Sequence, residues 1–502
     1  MGAYALERPA TAFCGARAQF DGMVEWLDSG EAAGLTHAEL ETRLQVDGRE
    51  LLRRLLQDHL ELRAEREVRL EDVVGSDGVR RGNVEDGHTR VLRTVFGEVT
   101  VTRKAYRKPG SGNLHPLDAA LNLPEEKHSH GLRQLAAIES ARGSFEAAAE
   151  AIERATGRML GKKQLRLLVQ RAAQDFDAFY EQRQRHLSVA SDLLVLSCDG
   201  KGLVMRADAL REATRRAAQQ ATSKLQTRLS KGEKRNRKRM AEVGAVYDCA
   251  PAVRSAQDIL GRGDDGDERN LERPKARGKW LIASVAASAR EVVGKVFDEA
   301  QRRDPEHRRQ WVVLVDGHNH QLDCIQAEAR DRGIEVVILV DFIHALEYLW
   351  KAAWCFFDEG DPAAEKWVHR NACTILQGRS SDVAGAIRRK ATCLGLDEGE
   401  RTGADKCADY LINKRLYLGY ATALERGWPI ATGVIEGACR HLVKDRMDIT
   451  GARWGLDGAE AVLKLRALRS NGDLNEYWRF HLRLEHQRVH GTRYAKPTSA
   501  PP

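Results

Sequence analysis

Two apolar runs in this chain climb to an aspartate and stop on glycine. "LVLSCDGKG", residues 194–202, carries Asp199 followed by Gly200, and "WVVLVDGHN", residues 311–319, carries Asp316 followed by Gly317. A short apolar run closed by turn-forming residues is the pattern of a strand buried on both faces. Two such strands, each offering a carboxylate at the same end, restrict the fold to one that brings those ends together. The neighbouring elements narrow it further. Strands are expected at 193–199, 242–248, 279–288, 311–316 and 334–340, with helices at 290–303 and 319–331 and a third from Phe342.

That order, β-β-β-α-β-α-β-α, is a three-stranded meander followed by alternating helices and strands. It describes a ribonuclease-H-like fold, in which the first and fourth strands lie side by side at the sheet centre. Asp199 and Asp316 are then neighbours. Adjacent carboxylates repel one another, so a divalent cation is their natural partner. Phosphoryl transfer by two cations about 4 Å apart needs a further acid. The expected source is Glu436, in "WPIATGVIEGACRHLVKDRMDITGARWG" (428–455), where Pro429 and Thr432 precede a helix and Gly451 ends it. The apolar neighbours Ile435, Val443 and Met447 imply burial of that glutamate, and a surface pair with Arg440 is the alternative. Asp341 and His344 form an Asp-x-x-His pair at a strand-to-helix junction, suited to DNA strand positioning or to supporting the ligands. The glycines beside Asp199 and Asp316 are expected to leave room for a nucleic-acid backbone.

Composition sets the class. Of 502 residues, 42% are hydrophobic and 30% charged, with no long uncharged apolar window and no signal-peptide pattern at the start, so a cytoplasmic globular protein without a membrane span is expected. Nine scattered cysteines without a Cys-x-x-Cys pair indicate neither a disulfide frame nor a zinc finger. The net charge of +7 hides a concentration: residues 201–240 hold 13 Lys and Arg against 3 Asp and Glu, which leaves the remainder slightly acidic. Its peak, with Lys231, Lys234, Arg235, Arg237, Lys238 and Arg239, reads as a DNA-backbone grip inserted between the first two strands, near the acids. Lys201 lies close enough to Asp199 to touch a phosphate, and Arg440, Lys444, Arg446 and Arg453 surround Glu436 with further cations.

Around this core the chain reads as multidomain α/β. Residues 1–110 suggest a small mixed domain. In it, helices between Thr36 and Arg66 put Leu40, Leu44, Leu51, Leu55 and Leu56 near one face, and a hairpin is expected about Gly97. A connector, 108–118, leads to a helical block, 118–185, with helices at 130–142, 144–156 and 161–180; the last begins with Lys162 and Lys163, as a helix-turn-helix DNA reader would. The core occupies 190–350 and 429–502, separated by a helical insertion at 351–428; Trp350, just before it, and Trp354 and Trp367 within it are expected in the interior.

The segments "CDGKG", "GEKRNRKRMAEVGAVYD", "LVDG", "DFIHALEYLWKAAWCFF", "GWPIATGVIEGACRHLVKDRMDITGARWG" and "EAVLKLRALRSNGD" together resemble bacterial insertion-sequence transposases of the ISKra group, distant relatives of the Mutator-like transposases. The resemblance runs from about Phe13 to Tyr494. It implies a DDE transposase with a ribonuclease-H-like core, an insertion domain before the glutamate, and two Mg²⁺ or Mn²⁺ ions. The catalytic, metal-binding triad falls on Asp199, Asp316 and Glu436, and Asp341 with His344 matches the Mutator-like Asp-x-x-His motif. The chain departs from that pattern in lacking an N-terminal zinc-binding cluster, so end recognition rests on the helical block or the hairpin domain. Expected partners are the double-stranded DNA of transposon ends and target, and further copies of the chain as a homodimer or higher oligomer. Two rivals remain at this point: a metal-dependent nuclease of the same fold that cuts without joining, and a transposase-derived DNA-binding repressor with an inactive site.

Overall fold

The computed structural model describes residues 12–183, 191–220, 237–261, 274–449 and 451–495. Lys231, Lys234 and Arg235 of the basic run lie outside the described residues. The described part is multidomain α/β, and the chain divides into two compact units, one within Met1–Gln182 and Gly472–Pro502, the other within Arg183–Asn471. No helix among the described residues is long and apolar enough to cross a membrane.

In the first unit, the stretch from Thr36 forms one helix, His37–Glu65, rather than several packed together. Thr36 and Glu39 close a capping box at its start, and no proline interrupts its 29 residues. Its apolar stripe faces inward less than expected: Leu60 is its one buried residue, and Leu44 and Leu55 are exposed. The hairpin consists of β1 (Asn83–Thr94) and β2 (Gly97–Lys108), and Gly97 turns it at φ 134°, a backbone region that glycine alone adopts readily. The expected connector contributes a third strand, β3 (Ser111–Leu114), paired with β2. Helices His130–Arg142, Phe145–Thr156 and Lys162–Ala173 come next. Ser144 caps the second by accepting from the backbone N–H of Ala147, and Gly157 ends it in the left-handed region. Leu132, Ala136, Ile152, Leu165 and Leu168 form their shared core. The helix expected over 161–180 stops at Ala173 and resumes as Phe176–Gln182. Helix Leu474–His486, expected with the second half of the core, belongs to this first unit, where Tyr477 and Phe480 pack edge-on against Phe179.

The second unit is built on a five-stranded mixed sheet of β4 (Leu193–Val204), β5 (Lys238–Cys249), β6 (Ala276–Ser284), β7 (Trp311–Val315) and β8 (Val337–Val340). Its order is β6-β5-β4-β7-β8, antiparallel through the first three strands and parallel through the last three. Helix Ala289–Arg303 makes the crossover from β6 to β7, and helix Asn319–Arg332 the one from β7 to β8. Val195, Val312, Leu314 and Leu339 of the sheet share one continuous core with helices Phe342–Ala353, Pro362–Leu376, Ser380–Cys393 and Thr402–Asn413. The inserted helices are thus built onto a face of the sheet. Trp367 is buried in that core, but Trp354, expected there too, is 47% exposed and stacks on Trp350.

Two strand boundaries differ from expectation in a way that matters for the site. β4 does not end on Asp199; it continues to Val204, paired with Lys238–Glu242 of β5, so Asp199 lies within the strand at the point where β7 stops beside it. Part of the expected basic insertion is therefore strand. The glycines of "CDGKG" lie in that paired stretch: a Cβ on Gly200 would come within 2.9 Å of Met240 Cε and 3.3 Å of Glu242 Oε2, and one on Gly202 within 3.0 Å of Lys238 Cδ, all in flexible side chains that can shift. The backbone itself calls for glycine at Gly317, which turns the chain out of β7 at φ 89°.

Candidate active site

Register places the acids. β4 and β7 pair in parallel from Leu194 opposite Trp311 to Ser197 opposite Leu314, and the same step carried on sets Asp199 beside Asp316. β7 and β8 pair from Val312 opposite Val337 to Val315 opposite Val340, which sets Asp316 beside Asp341. Parallel neighbours in register point to the same face about 4.8 Å apart. Three aspartates, one within β4 and one just past the end of each of β7 and β8, thus form a row.

Each is held differently. Asp199 accepts through Oδ1 from the N–H of Gly200 (2.6 Å) and through Oδ2 from the thiol of Cys439 (3.1 Å). Asp341 is fully buried and caps helix Phe342–Ala353 by accepting from the N–H of Ile343 (2.8 Å). Its other oxygen accepts from the hydroxyl of Thr432 and from the Thr432 N–H (3.3 Å). Burial works to raise the Asp341 pKa, but His344, Thr432 and the two backbone donors outweigh it and hold the group below the ordinary carboxylate value. Asp316 lacks such support among the described residues. Burial, and then repulsion from Asp199, Asp341 and Glu436, pushes its pKa up to about 6 against the pull of His344.

His344 stands between two of the acids, with Nε2 3.7 Å from Asp316 Oδ2 and Nδ1 3.9 Å from Asp341 Oδ2. Asp341 first, and Asp316 with it, raise the imidazole pKa to about 9, so the ring carries a proton at neutral pH. Among the described residues, Asp316, Asp341 and His344 form the group whose potential ligand atoms all lie within 4.8 Å of one another. For a cation, Asp341 is the less accessible donor, since it is fully buried with both oxygens in hydrogen bonds, and His344 would have to lose its proton; Asp199, whose oxygens also accept hydrogen bonds, and Asp316 are half-buried.

Glu436 reaches this row from helix Gly433–Ala438, which passes into a π-helical turn over Cys439–Lys444 instead of running on as one α-helix toward Gly451. Glu436 is exposed, not buried as its apolar neighbours suggested: Ile435, Val443 and Met447 turn inward and leave it on the open side. Its Oε1 lies 3.2 Å from the Thr432 hydroxyl, and its charge is among those acting on Asp316. Thr432, Glu436 and Cys439 succeed one another at i, i+4 and i+7, the spacing of a single helical face. Thr432 addresses Asp341, Glu436 acts on Asp316, and Cys439 addresses Asp199. The sequence reading missed Thr432 and Cys439 as site residues; their helical spacing from Glu436 was the available signal.

Hard carboxylate oxygens from three segments, with one acid unsatisfied among like charges, suit Mg²⁺ or Mn²⁺. The expected cationic residues divide. Lys201 lies on β4 two residues beyond Asp199, on the same face and half-buried. Arg440, Lys444 and Arg453 are exposed, with Arg440 Nε 3.6 Å from Asp445. Arg446 does not face outward: it is 3% exposed, with its guanidinium 4.9 Å from the centre of the Trp454 ring, and burial lowers its pKa to about 10. Arg239 is tied internally to the carbonyls of Val285, Ala209 and Ala286, whereas Lys238 is exposed and Arg237 half-buried. In the first unit, Lys162 and Lys163 are exposed at a helix start, and Lys162 pairs with Glu146 at 3.1 Å.

A family model described as "Uncharacterised protein family (UPF0236)" matches residues 31–235. The matched stretch contains Asp199 and Lys201 but ends before Asp316 and Glu436. No curated protein matches the chain.

Proposed function

We propose that the chain is a DDE transposase with a ribonuclease-H-like catalytic core, which cleaves the DNA at the ends of its own element and joins the freed 3′-OH to target DNA. The observation that carries the reading is the row of acids: Asp199 in β4 and Asp316 just past the end of the adjacent parallel β7, with Glu436 of a later helix acting on Asp316. The sheet order β6-β5-β4-β7-β8 supports it, because it makes the first and fourth strands of the unit neighbours.

Asp199, Asp316 and Glu436 would hold two Mg²⁺ or Mn²⁺ ions. When bound, those cations supply charge neutralisation for in-line displacement at phosphorus. Hydrolysis and joining are the same displacement with different nucleophiles, water first and the 3′-OH second, so one site serves both. Asp341 and Thr432 hold their side of the row rigid. The protonated His344 offers a donor beside Asp316 and is suited to a phosphate oxygen of the bound strand. Lys201, two residues past Asp199 on β4, and the exposed Lys444 and Arg453 would grip the DNA backbone, and the exposed start of helix Lys162–Ala173 is the candidate reader of the terminal repeats.

Incubation of the protein with labelled duplexes bearing the element's ends, Mg²⁺ or Mn²⁺ and a second duplex tests the proposal. The expected products are a 3′-OH end and its covalent joint to the second duplex. Cleavage without joining would identify a nuclease, and binding without cleavage in either metal a repressor.

A further inference from the structure

We infer that Cys439 is a positioning residue for Asp199, holding its carboxylate ready for the cation through the hydrogen bond from its thiol. The inference rests on the reading of Asp199, Asp316 and Glu436 as a cation site. Asp199 lies within a continuous strand. One of its oxygens accepts from the adjacent Gly200 N–H, a local contact. The other is fixed across 240 residues of sequence by Cys439 Sγ at 3.1 Å. That bond couples the strand's aspartate to the element that carries Glu436.

The placement of Cys439 comes from the helix. It lies three residues after Glu436, and the chain widens there from α to π geometry, a change found often at functional sites. Cys439 is buried, and its thiol is placed to donate to the Asp199 carboxylate. A thiol is a weak donor. It orients Asp199 while binding it less tightly than a hydroxyl or ammonium would, which leaves the oxygen available to a cation. Thr432 repeats the arrangement seven residues earlier on the same face, toward Asp341. Glu436 is thereby bracketed by two donors that each fix one of the flanking aspartates.

Packing and donation make opposite predictions at this position. Cys439→Val keeps the apolar volume and removes the donor; Cys439→Ser keeps a donor and lowers apolarity. The measurement is Mn²⁺ binding to the full-length, DNA-free protein, by electron paramagnetic resonance of free Mn²⁺ and by calorimetry, with Asp199→Asn as reference and thermal unfolding run on each variant. The expected result is Mn²⁺ affinity weakened about 10-fold by Val and within about 2-fold of wild type for Ser. Val binding like wild type, or Ser falling as far as Val, overturns the positioning role while leaving the cation site standing. Wild-type protein that binds no Mn²⁺, or binds it equally well as Asp199→Asn, overturns the site and the positioning role together.

Discussion

The two ends of the five-stranded sheet treat buried charge in opposite ways. At the end where β4 begins, Asp248 of β5 is met by Arg309 (2.7 Å) and Arg303 (3.3 Å); Arg303 also binds Glu299 (2.8 Å), and Arg309 further donates to the carbonyls of Asp192 and Leu193. Asp304 is satisfied by two backbone N–H groups and by the indole of Trp311. Each acid there has a matched donor. At the other end, Asp199, Asp316, Asp341 and Glu436 converge with one imidazolium among them, and Asp316 is left protonating near pH 6. A fold that balances its charges at one end of a sheet has the means to do so at the other. The imbalance at Asp316 is what supports the proposal of a cation at the second end, since perturbed carboxylates cluster at functional sites.

The sharpest way to break this comparison is to remove the acids proposed to hold the cation. Asp199→Asn, Asp316→Asn and Glu436→Gln are each expected to reduce DNA cleavage by about 1000-fold or more, because each deletes a cation ligand without changing shape. Binding to the end sequence, measured by fluorescence anisotropy, should stay within a few-fold of wild type. Strong residual cleavage in one variant removes that residue from the triad.

The balanced end should fail in the other direction. Arg309→Met strands Asp248 in the interior with one partner fewer, and a broken buried pair destabilises by about 3–5 kcal/mol. Urea unfolding monitored by tryptophan fluorescence should show the loss. If stability is unchanged, the network is not what holds that end together.

Between the two lies Asp341, which is buried like the first group and acidic-clustered like the second. Its hydrogen bonds to Thr432 and Ile343 mark it as a support, so Asp341→Asn is expected to reduce cleavage about 10–100-fold, less than Asp316→Asn. An equal loss in both would make Asp341 a direct ligand. Thr432→Val should resemble Asp341→Asn.

The same division separates the features legible in the sequence from those concealed in it. Leu193–Leu196, Trp311–Val315 and Val337–Val340 are apolar runs, so these strands were legible from pattern, and the adjacency of Asp199 and Asp316 followed from the fold that their order suggested. The continuation of β4 to Val204 was not, because Gly200, Lys201 and Gly202 pair with the polar Lys238–Glu242 and carry no apolar alternation. Thr432 read as a residue before a helix and Cys439 as one of nine scattered cysteines, since neither residue type announces an acid as its partner. Arg446 read as a DNA contact because nothing in a run of cations tells which one is folded under Trp454. Leu44 and Leu55 of the long helix show the converse: helical periodicity located a face, and that face is open at both positions.

The smallest effect expected is also the one that bears most directly on the charge imbalance. A carboxyl held in the fold near pKa 6, above its unfolded value of 3.8, binds more protons folded than unfolded between those values. The fold is therefore penalised at this group above pH 6, and the penalty fades as pH falls through 6 toward 4. Asp316→Asn removes the charge, so at pH 7 without divalent cations it should stabilise the second unit, by about 1–2 kcal/mol after solvent screening of this partly exposed group. The gain should shrink as the pH is lowered to 5, where wild-type Asp316 is mostly protonated. Saturating Mn²⁺ should reverse its sign, because wild type alone then gains from ligand binding. Thermal unfolding of both proteins at pH 5 and 7, with and without Mn²⁺, measures each of these effects. A variant less stable than wild type at pH 7 in the absence of cation would show that Asp316 is compensated after all, and the contrast between the two ends of the sheet would lose its basis.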